Sequence, residues 1–359
     1  MSFAIAAAGT GGHVYPGLAV AEALLQSGVD RSYVLFVGGD RLEASVYPGE
    51  GFDFLELELR GLKRSLSPSN LSLPMVVLRA RRQIEDELLR RGVSVVLGMG
   101  GYVTIPASMA ARRKNVTLML AEQNAGAGLA NRIASRWAER VFVSFPVTEG
   151  LESGEWVGNP VRSGIANFDR SARRSEALRH FGLVPDVPVL GVFGGSLGAS
   201  AINEAVARLA AGWGGPALQV IHLVGRSHET AYSDRPARPV VRWLRIGFED
   251  RMDYFYAASD LVVARAGGAV AEITATATPS ILVPGDFGSS GHQSANATFL
   301  EDAGASVVLP QAELDRLGEL VSSLLNDAVR LDQMRSGADS ISKPDAAKSI
   351  AQAMIEATR

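Results

Sequence analysis

Three glycine-rich stretches carry the strongest chemical signal in the chain. They are Gly9-Thr-Gly-Gly-His-Val-Tyr-Pro-Gly17, Gly98-Met-Gly-Gly-Tyr-Val103 and Gly194-Gly-Ser-Leu-Gly-Ala199, and each follows a short apolar run. A glycine turn between a strand and a helix lets backbone N–H groups reach an anion at the positive end of the helix. Three such turns predict phosphates approached from more than one side. None of them fits the dinucleotide fingerprint, because Val14, Val103 and Ser196 stand where glycines are required. A lysine-bearing phosphate loop is also missing, which disfavours a P-loop nucleotidase. Three polar clusters accompany the glycines: Glu122-Gln-Asn124, Arg265-Ala-Gly-Gly-Ala-Val-Ala-Glu272 and His292-Gln-Ser-Ala-Asn296. Carboxylates, carboxamides and imidazole are the groups that read sugar and ribose hydroxyls. A competing reading takes Gly194, Ser196 and Gly198 as a hydrolase nucleophile elbow, with Asp260 and His292 following in the right order.

These residues need a scaffold, and the hydropathy pattern supplies one. Phe3 to Ala7, Tyr33 to Val37, Val93 to Leu97, Thr117 to Leu120 and Val141 to Val143 predict buried parallel strands. Helical segments such as Leu18 to Gln26 and Leu78 to Arg90 lie between them. The rhythm resets near Gly158 and Pro160. It resumes with Val189 to Phe193, Gln219 to Val224, Val240 to Leu244, Leu261 to Ala264, Ser280 to Val283 and Ser306 to Leu309. The expectation is α/β with two domains, 1–158 and 159–343. A final amphipathic helix within 344–359 packs back on the first. In both halves the glycine loops sit at strand C-terminal ends, where open α/β sheets bind ligands.

Composition narrows the chemistry further. The 359 residues suit two domains, and 47% apolar content supplies two cores. No cysteine is present, which excludes disulfides, thiolate nucleophiles and Cys-ligated zinc. The net charge of −3 argues against a nucleic-acid partner. No apolar stretch reaches the ~18 residues of a spanning helix, and the apolar start reads as a first strand rather than a signal peptide. Charge is uneven: Arg60 to Arg140 carries 14 Lys/Arg against 5 Asp/Glu. Within that zone lie Leu71, Leu73, Met75, Val76, Arg79, Arg81 and Arg82, which read either as a buried loop and helix start with solvated arginines or as an apolar patch with a basic rim resting on an anionic membrane surface.

The stretches GTGGHVYPGLAVAEAL, GMGGYVTIP, AEQNAGAGLANRIAS, GNPVR, GGSLGASAIN, YAASDLVVARAGGAVAE and HQSANATFLEDAGA occur in the order and spacing of the MurG family. The chain resembles that family over nearly its whole length. The resemblance implies two Rossmann-like domains facing across a cleft, a GT-B type glycosyltransferase. The implied reaction is inverting transfer of GlcNAc from UDP-GlcNAc to the C4 hydroxyl of MurNAc in lipid I. The product would be lipid II for the peptidoglycan wall, made by a peripheral protein on the cytoplasmic face of the membrane. No cofactor and no metal are implied, and the chain contains no Asp-x-Asp pair. Alternatives are a UDP-GlcNAc 2-epimerase, a related transferase with another acceptor, a non-catalytic UDP-sugar binder and, less favoured, the serine hydrolase.

Carried over by position, the resemblance makes His13 the general base, with Glu122 the next candidate. Thr10, Gly11, Gly12, Asn124, Arg162, Ser196, Phe248, Glu249, Glu272, His292 and Gln293 fall to the donor UDP-GlcNAc. Gly100, Gly101 and Tyr102 fall to the acceptor, whose diphosphate Gly11 and Gly12 also approach. The chain departs from the pattern at Ala121, where His is common, at Leu197, where Gln is common, and at His292, which replaces a Gln. The run Arg265 to Glu272 is one residue short.

Overall fold

The computed structural model describes residues 1–59, 73–195, 198–226, 228–232, 236–285 and 291–358. The backbone divides into two compact units. The first comprises Met1–Ser163 with Pro344–Arg359, and the second Gly164–Lys343.

In the first unit the chain runs β1 (Ser2–Ala6), α1 (Gly11–Gln26), β2 (Val34–Gly38), α2 (Leu42–Gly49), β3 (Asp53–Glu56), α3 (Leu73–Arg91) and β4 (Val93–Gly98). It continues with α4 (Thr104–Lys114), β5 (Thr117–Glu122), α5 (Leu129–Ala134), β6 (Arg140–Val143), β7 (Glu155–Trp156) and the one-turn α6 (Ser163–Ala166) at the junction. The seven strands are ordered β3-β2-β1-β4-β5-β6-β7, and all paired neighbours are parallel. Strands β1 and β2 are buried at every position. That is why they read as unbroken apolar runs rather than alternating ones. The short strands β3 and β7 escape the sequence reading. Asp53–Glu56 shows the burial pattern exposed, intermediate, intermediate, exposed, and edge strands carry little apolar signal.

The second unit continues with α7 (Arg170–His180), β8 (Val189–Phe193), α8 (Ser200–Gly212), β9 (Leu218–Leu223), α9 (Glu229–Tyr232), β10 (Val241–Ile246), α10 (Met252–Ala258) and β11 (Leu261–Ala264). Then come α11 (Ala269–Ala275), β12 (Ser280–Leu282), α12 (His292–Asp302), β13 (Ser306–Val308), α13 (Leu317–Leu325) and α14 (Ala328–Ile341). Its six parallel strands are ordered β10-β9-β8-β11-β12-β13.

In both sheets the strand order reverses direction at one place, between β1 and β4 and between β8 and β11. Successive connections leave to opposite sides there, which opens a crevice at the strand C-termini. The first and second glycine loops follow β1 and β4, while the third follows β8 and the Arg265–Glu272 run follows β11. These four loops therefore border a reversal point, while the Glu122 and His292 clusters follow the neighbouring strands β5 and β12. No helix among the described residues is long and apolar enough to cross a membrane.

The last helix, α15 (Ala346–Glu356), returns the chain to the first unit. Ala347, Ile350, Ala351 and Met354 join a core with Leu18, Ala21 and Leu24 of α1 and Phe3 and Ile5 of β1. Met354 and Ile350 are fully buried, so the helix is part of that core and not an appendage. Met354→Ala should lower the stability of the first unit by about 2–4 kcal/mol. Urea unfolding followed by a probe in that unit measures it, and an unmoved midpoint would show that α15 contributes no core.

Candidate active site

The first unit builds its site from two buried carboxylates and one imidazole. Thr10 is the N-cap residue of α1, in extended conformation, and His13 lies in the first turn. The second loop must pass close beside it. Gly100 and Gly101 both have positive φ (+89° and +76°), and a Cβ on Gly101 would lie 2.7 Å from the Ala8 carbonyl oxygen. A Cβ on Gly100 would meet His13 Cδ2 and Nε2 at 3.1 Å and Asn131 Nδ2 at 3.5 Å. Only glycine lets the two loops and the imidazole share this space.

His13 is partly buried, and its Nδ1 has no partner among the described residues. Burial holds the imidazole pKa below its ordinary value, against the opposing pull of the Glu122 and Glu43 carboxylates. Asn131 Oδ1, on the same spot beside Gly100, is likewise buried without a partner among the described residues. Buried polar atoms left open in this way are commonly satisfied by ligand or ordered water.

Glu122 ends β5, almost fully buried. Its Oε1 accepts from the Gln123 and Asn124 backbone N–H groups and from Asn124 Nδ2, each at 3.1 Å. Its Oε2 accepts from Gly128 N–H at 3.0 Å and Asn131 Nδ2 at 2.9 Å. With both oxygens engaged, the carboxylate fastens the loop from Gln123 to Asn131. The same carboxylate thereby ties the Asn124 and Asn131 side chains.

Glu43 escaped the sequence reading. It lies in the first turn of α2, fully buried. Its carboxylate accepts from Gly9 N–H (3.1 Å), Gly39 N–H (3.1 Å) and Tyr102 Oη (3.0 Å). One side chain thus joins the loops after β1, β2 and β4. Burial and the Glu43 carboxylate both raise the Tyr102 pKa, so the phenol stays a donor. The sequence signal was available: Glu43 follows a strand and a Gly-Gly-Asp turn at a helix start, where acidic residues also have a bland capping role. Arg162 belongs to this unit, with its guanidinium 5.4 Å from the Tyr15 ring centroid.

In the second unit, Gly194, Gly195 and Gly198 of the third loop are described, while Ser196 lies outside the described residues. Glu272, in the first turn of α11, accepts from Tyr256 Oη at 3.0 Å. Gln293 Oε1 accepts from Gly285 N–H at 2.7 Å, and His292 beside it opens α12. Phe248 carries the Arg226 guanidinium 4.3 Å from its ring centroid. Glu249 accepts from Arg251 N–H at 2.8 Å and meets His180 Nε2 at 3.1 Å. Arg265, which opens the second polar cluster, donates to the Val283 and Pro284 carbonyls and to Gln311 Oε1. It ties the end of β11 to the end of β12.

The hydrolase reading fails on topology. Asp260 precedes β11, and its carboxylate accepts from Arg170, Arg174 and the Val189 N–H that opens β8. It therefore sits at the N-terminal edge of the sheet. The third glycine loop and His292 follow C-terminal ends, so no triad can assemble.

The chain matches the glycosyltransferase family 28 N-terminal domain over residues 3–143 and its C-terminal domain over residues 189–350. A relative from Mycolicibacterium smegmatis is 39% identical over 369 residues, covering 100% of this chain and 94% of that one. It is named UDP-N-acetylglucosamine--N-acetylmuramyl-(pentapeptide) pyrophosphoryl-undecaprenol N-acetylglucosamine transferase. The crystal structure of Acinetobacter baumannii MurG matches 99% of this chain and 100% of that one, with TM-score 0.77 and 26% identity. The chain belongs to the MurG family of glycosyltransferases. A UDP-N-acetylglucosamine 2-epimerase structure aligns at TM-score 0.66 over 98% of this chain and 94% of that one, but at 14% identity, which shows a shared fold alone. Within the MurG family frame, the Glu43 tie explains how three loops of the first unit keep their places.

Glu43→Ala strands two backbone N–H groups and should cost the first unit about 2–4 kcal/mol, against about 1 kcal/mol for Tyr102→Phe. Denaturant midpoints of the two variants measure this. Equal effects would mean that Glu43 acts only through the phenol.

Proposed function

We propose that this chain transfers GlcNAc from UDP-GlcNAc to the C4 hydroxyl of MurNAc in lipid I, with inversion, to give lipid II. The observation that carries this reading is full-length similarity, at 39% identity, to a transferase named for that donor and acceptor. The crevice in the first unit, with an imidazole at a glycine turn, gives the reading a chemical centre.

The donor is α-linked and the product is β1→4, so the anomeric carbon inverts once. A single displacement needs one base and a stabilised leaving group, not a pair of carboxylates. His13 is the base that takes the proton from the C4 hydroxyl, because its imidazole remains neutral to lower pH than an ordinary histidine. Glu122, through Asn131 and Asn124, fixes the surroundings of that imidazole. Gly11, Gly12, Gly100, Gly101 and Tyr102 line the acceptor side in this reading. Thr10 and Asn124 join Ser196, Phe248, Glu249, Glu272, His292 and Gln293 on the donor. The departing UDP gains charge, which the start of α8 and Arg162 are suited to meet without a metal ion. Domain functions follow: residues 1–163 with the C-terminal helix for the acceptor, and residues 164–343 for UDP-GlcNAc.

The proposed site of action is the cytoplasmic face of the membrane, held peripherally. Met75 (76% exposed) and Leu78 (41%) project from α3 beside exposed Arg79 and Arg82. Two residues of the expected patch differ. Val76 packs partly against the core, and Arg81 is held 3.1 Å from the buried Glu85, so both are less exposed than Met75, Leu78, Arg79 and Arg82. Leu71 lies outside the described residues, as does the side chain of Leu73, whose backbone opens α3.

His13→Ala should lower kcat by about 10²–10⁴-fold, with the KM for UDP-GlcNAc changed less than about threefold. The wild-type acid limb of kcat/KM should lie below pH 6.5, since protonation of a depressed imidazole requires more acid. Steady-state kinetics across pH 5–9 measures both. Retained kcat in the variant would remove His13 as the base.

A further inference from the structure

Under the third glycine loop, a buried histidine takes no part in the chemistry described so far. His222, the next-to-last residue of β9, is fully buried, as is Asn203 on α8. Trp243 on β10 stacks beside it, with ring centroids 5.9 Å apart at 14°. The hydrogen bonds among them run in one direction only. An indole N–H can only donate, so Trp243 Nε1 donates to His222 Nδ1 at 3.3 Å. That assigns the neutral tautomer with the proton on Nε2, which donates to Asn203 Oδ1 at 3.0 Å. The Asn203 amide is thereby oriented, and its Nδ2 donates to the Val224 carbonyl at 2.9 Å. Burial, and secondarily Arg245, push the His222 pKa down to about 3, so this tautomer persists at physiological pH.

The relay ends at the glycine loop. The Val224 carbonyl oxygen lies 2.4 Å from where a Cβ on Gly198 would be, and Gly198 itself has φ +75°. Val224 N–H donates to Ile246 O at 2.9 Å, so this peptide is held from both sides. Gly198 N–H in turn donates to Gly195 O at 2.9 Å, and Asn203 N–H to Ala199 O at 2.9 Å. The backbone of Val224 is a floor against which Gly198, just before α8, is set.

We propose that Trp243, His222 and Asn203 form a positioning relay that fixes the Val224 carbonyl and, through it, the geometry with which the third glycine loop receives the donor diphosphate. This rests on the reading that the loop holds the diphosphate of UDP-GlcNAc. The three side chains never touch the donor. They set a backbone that does, so their loss should appear in donor affinity and not in the chemical step.

Two substitutions at one position separate the relay from simple core packing. His222→Phe fills the space and can stack on Trp243 but has no donor for Asn203. His222→Gln packs less well, yet its Nε2 can donate where the imidazole Nε2 did. The relay predicts UDP binding weakened about 5–20-fold in His222→Phe and in Asn203→Ala, with kcat changed less than about threefold. It predicts affinity within about twofold of wild type for His222→Gln. Calorimetric titration with UDP, together with KM and kcat for UDP-GlcNAc, reads this out on the full chain. His222→Gln binding as weakly as His222→Phe, or both binding as wild type does, overturns the relay. If His222→Phe does not fold, Asn203→Asp carries the contrast. It is isosteric, still accepts from His222 and has no donor for Val224, so it should weaken UDP binding, and unchanged affinity overturns the proposal. A wild-type chain that binds no UDP removes the donor reading itself, and the relay with it.

Discussion

A buried carboxylate costs several kcal/mol unless donors replace the water it has lost. The first unit places two such groups at its loop edge. Glu122 receives five hydrogen bonds and Glu43 three, mostly from backbone N–H groups. In satisfying the carboxylates, the chain has to bring the loops after β1, β2, β4 and β5 to fixed places. The imidazole of His13 then finds itself against Gly100, with its basicity set by burial on one side and two negative charges on the other. The loops are held by what they surround, so the site is rigid where no regular secondary structure supports it.

The second unit fastens its strand ends and loops with a guanidinium, carboxamides and an imidazole in place of buried carboxylates. Arg265 binds the carbonyls at the ends of two strands, Gln293 receives the Gly285 N–H, and the Trp243–His222–Asn203 chain fixes a single carbonyl beneath Gly198. Hydrogen-bond direction does the specifying here. In the Trp243–His222–Asn203 chain each donor meets one acceptor, and the Asn203 amide has one orientation that satisfies both neighbours.

Much of this was legible in the sequence, for reasons that can be named. Buried parallel strands leave unbroken apolar runs, so Phe3–Ala7 and Val189–Phe193 announced their sheets. Edge strands such as Asp53–Glu56 left no such trace. The glycine loops were visible because close backbone approach demands glycine, as Gly101 against Ala8 illustrates. Residues inside motifs, such as His13 against Gly100, could be named. Residues that work by holding other residues could not: Glu43 looks like a surface charge until its partners are seen, and His222 looks like an ordinary core histidine. For Glu122 the motif could be named, but the five donors around its carboxylate could not be read from spacing. For the basic patch, spacing predicted exposure of Arg81, but a buried Glu85 one helical turn away captures it.

The central claim is that transfer proceeds from UDP-GlcNAc to an acceptor hydroxyl without a metal ion. It is tested most directly by UDP release from UDP-GlcNAc, measured with and without a short-chain lipid I analogue in EDTA. The account predicts UDP release that depends on the acceptor and survives the chelator. Release without acceptor, or release abolished by EDTA and restored by a divalent cation, would contradict it.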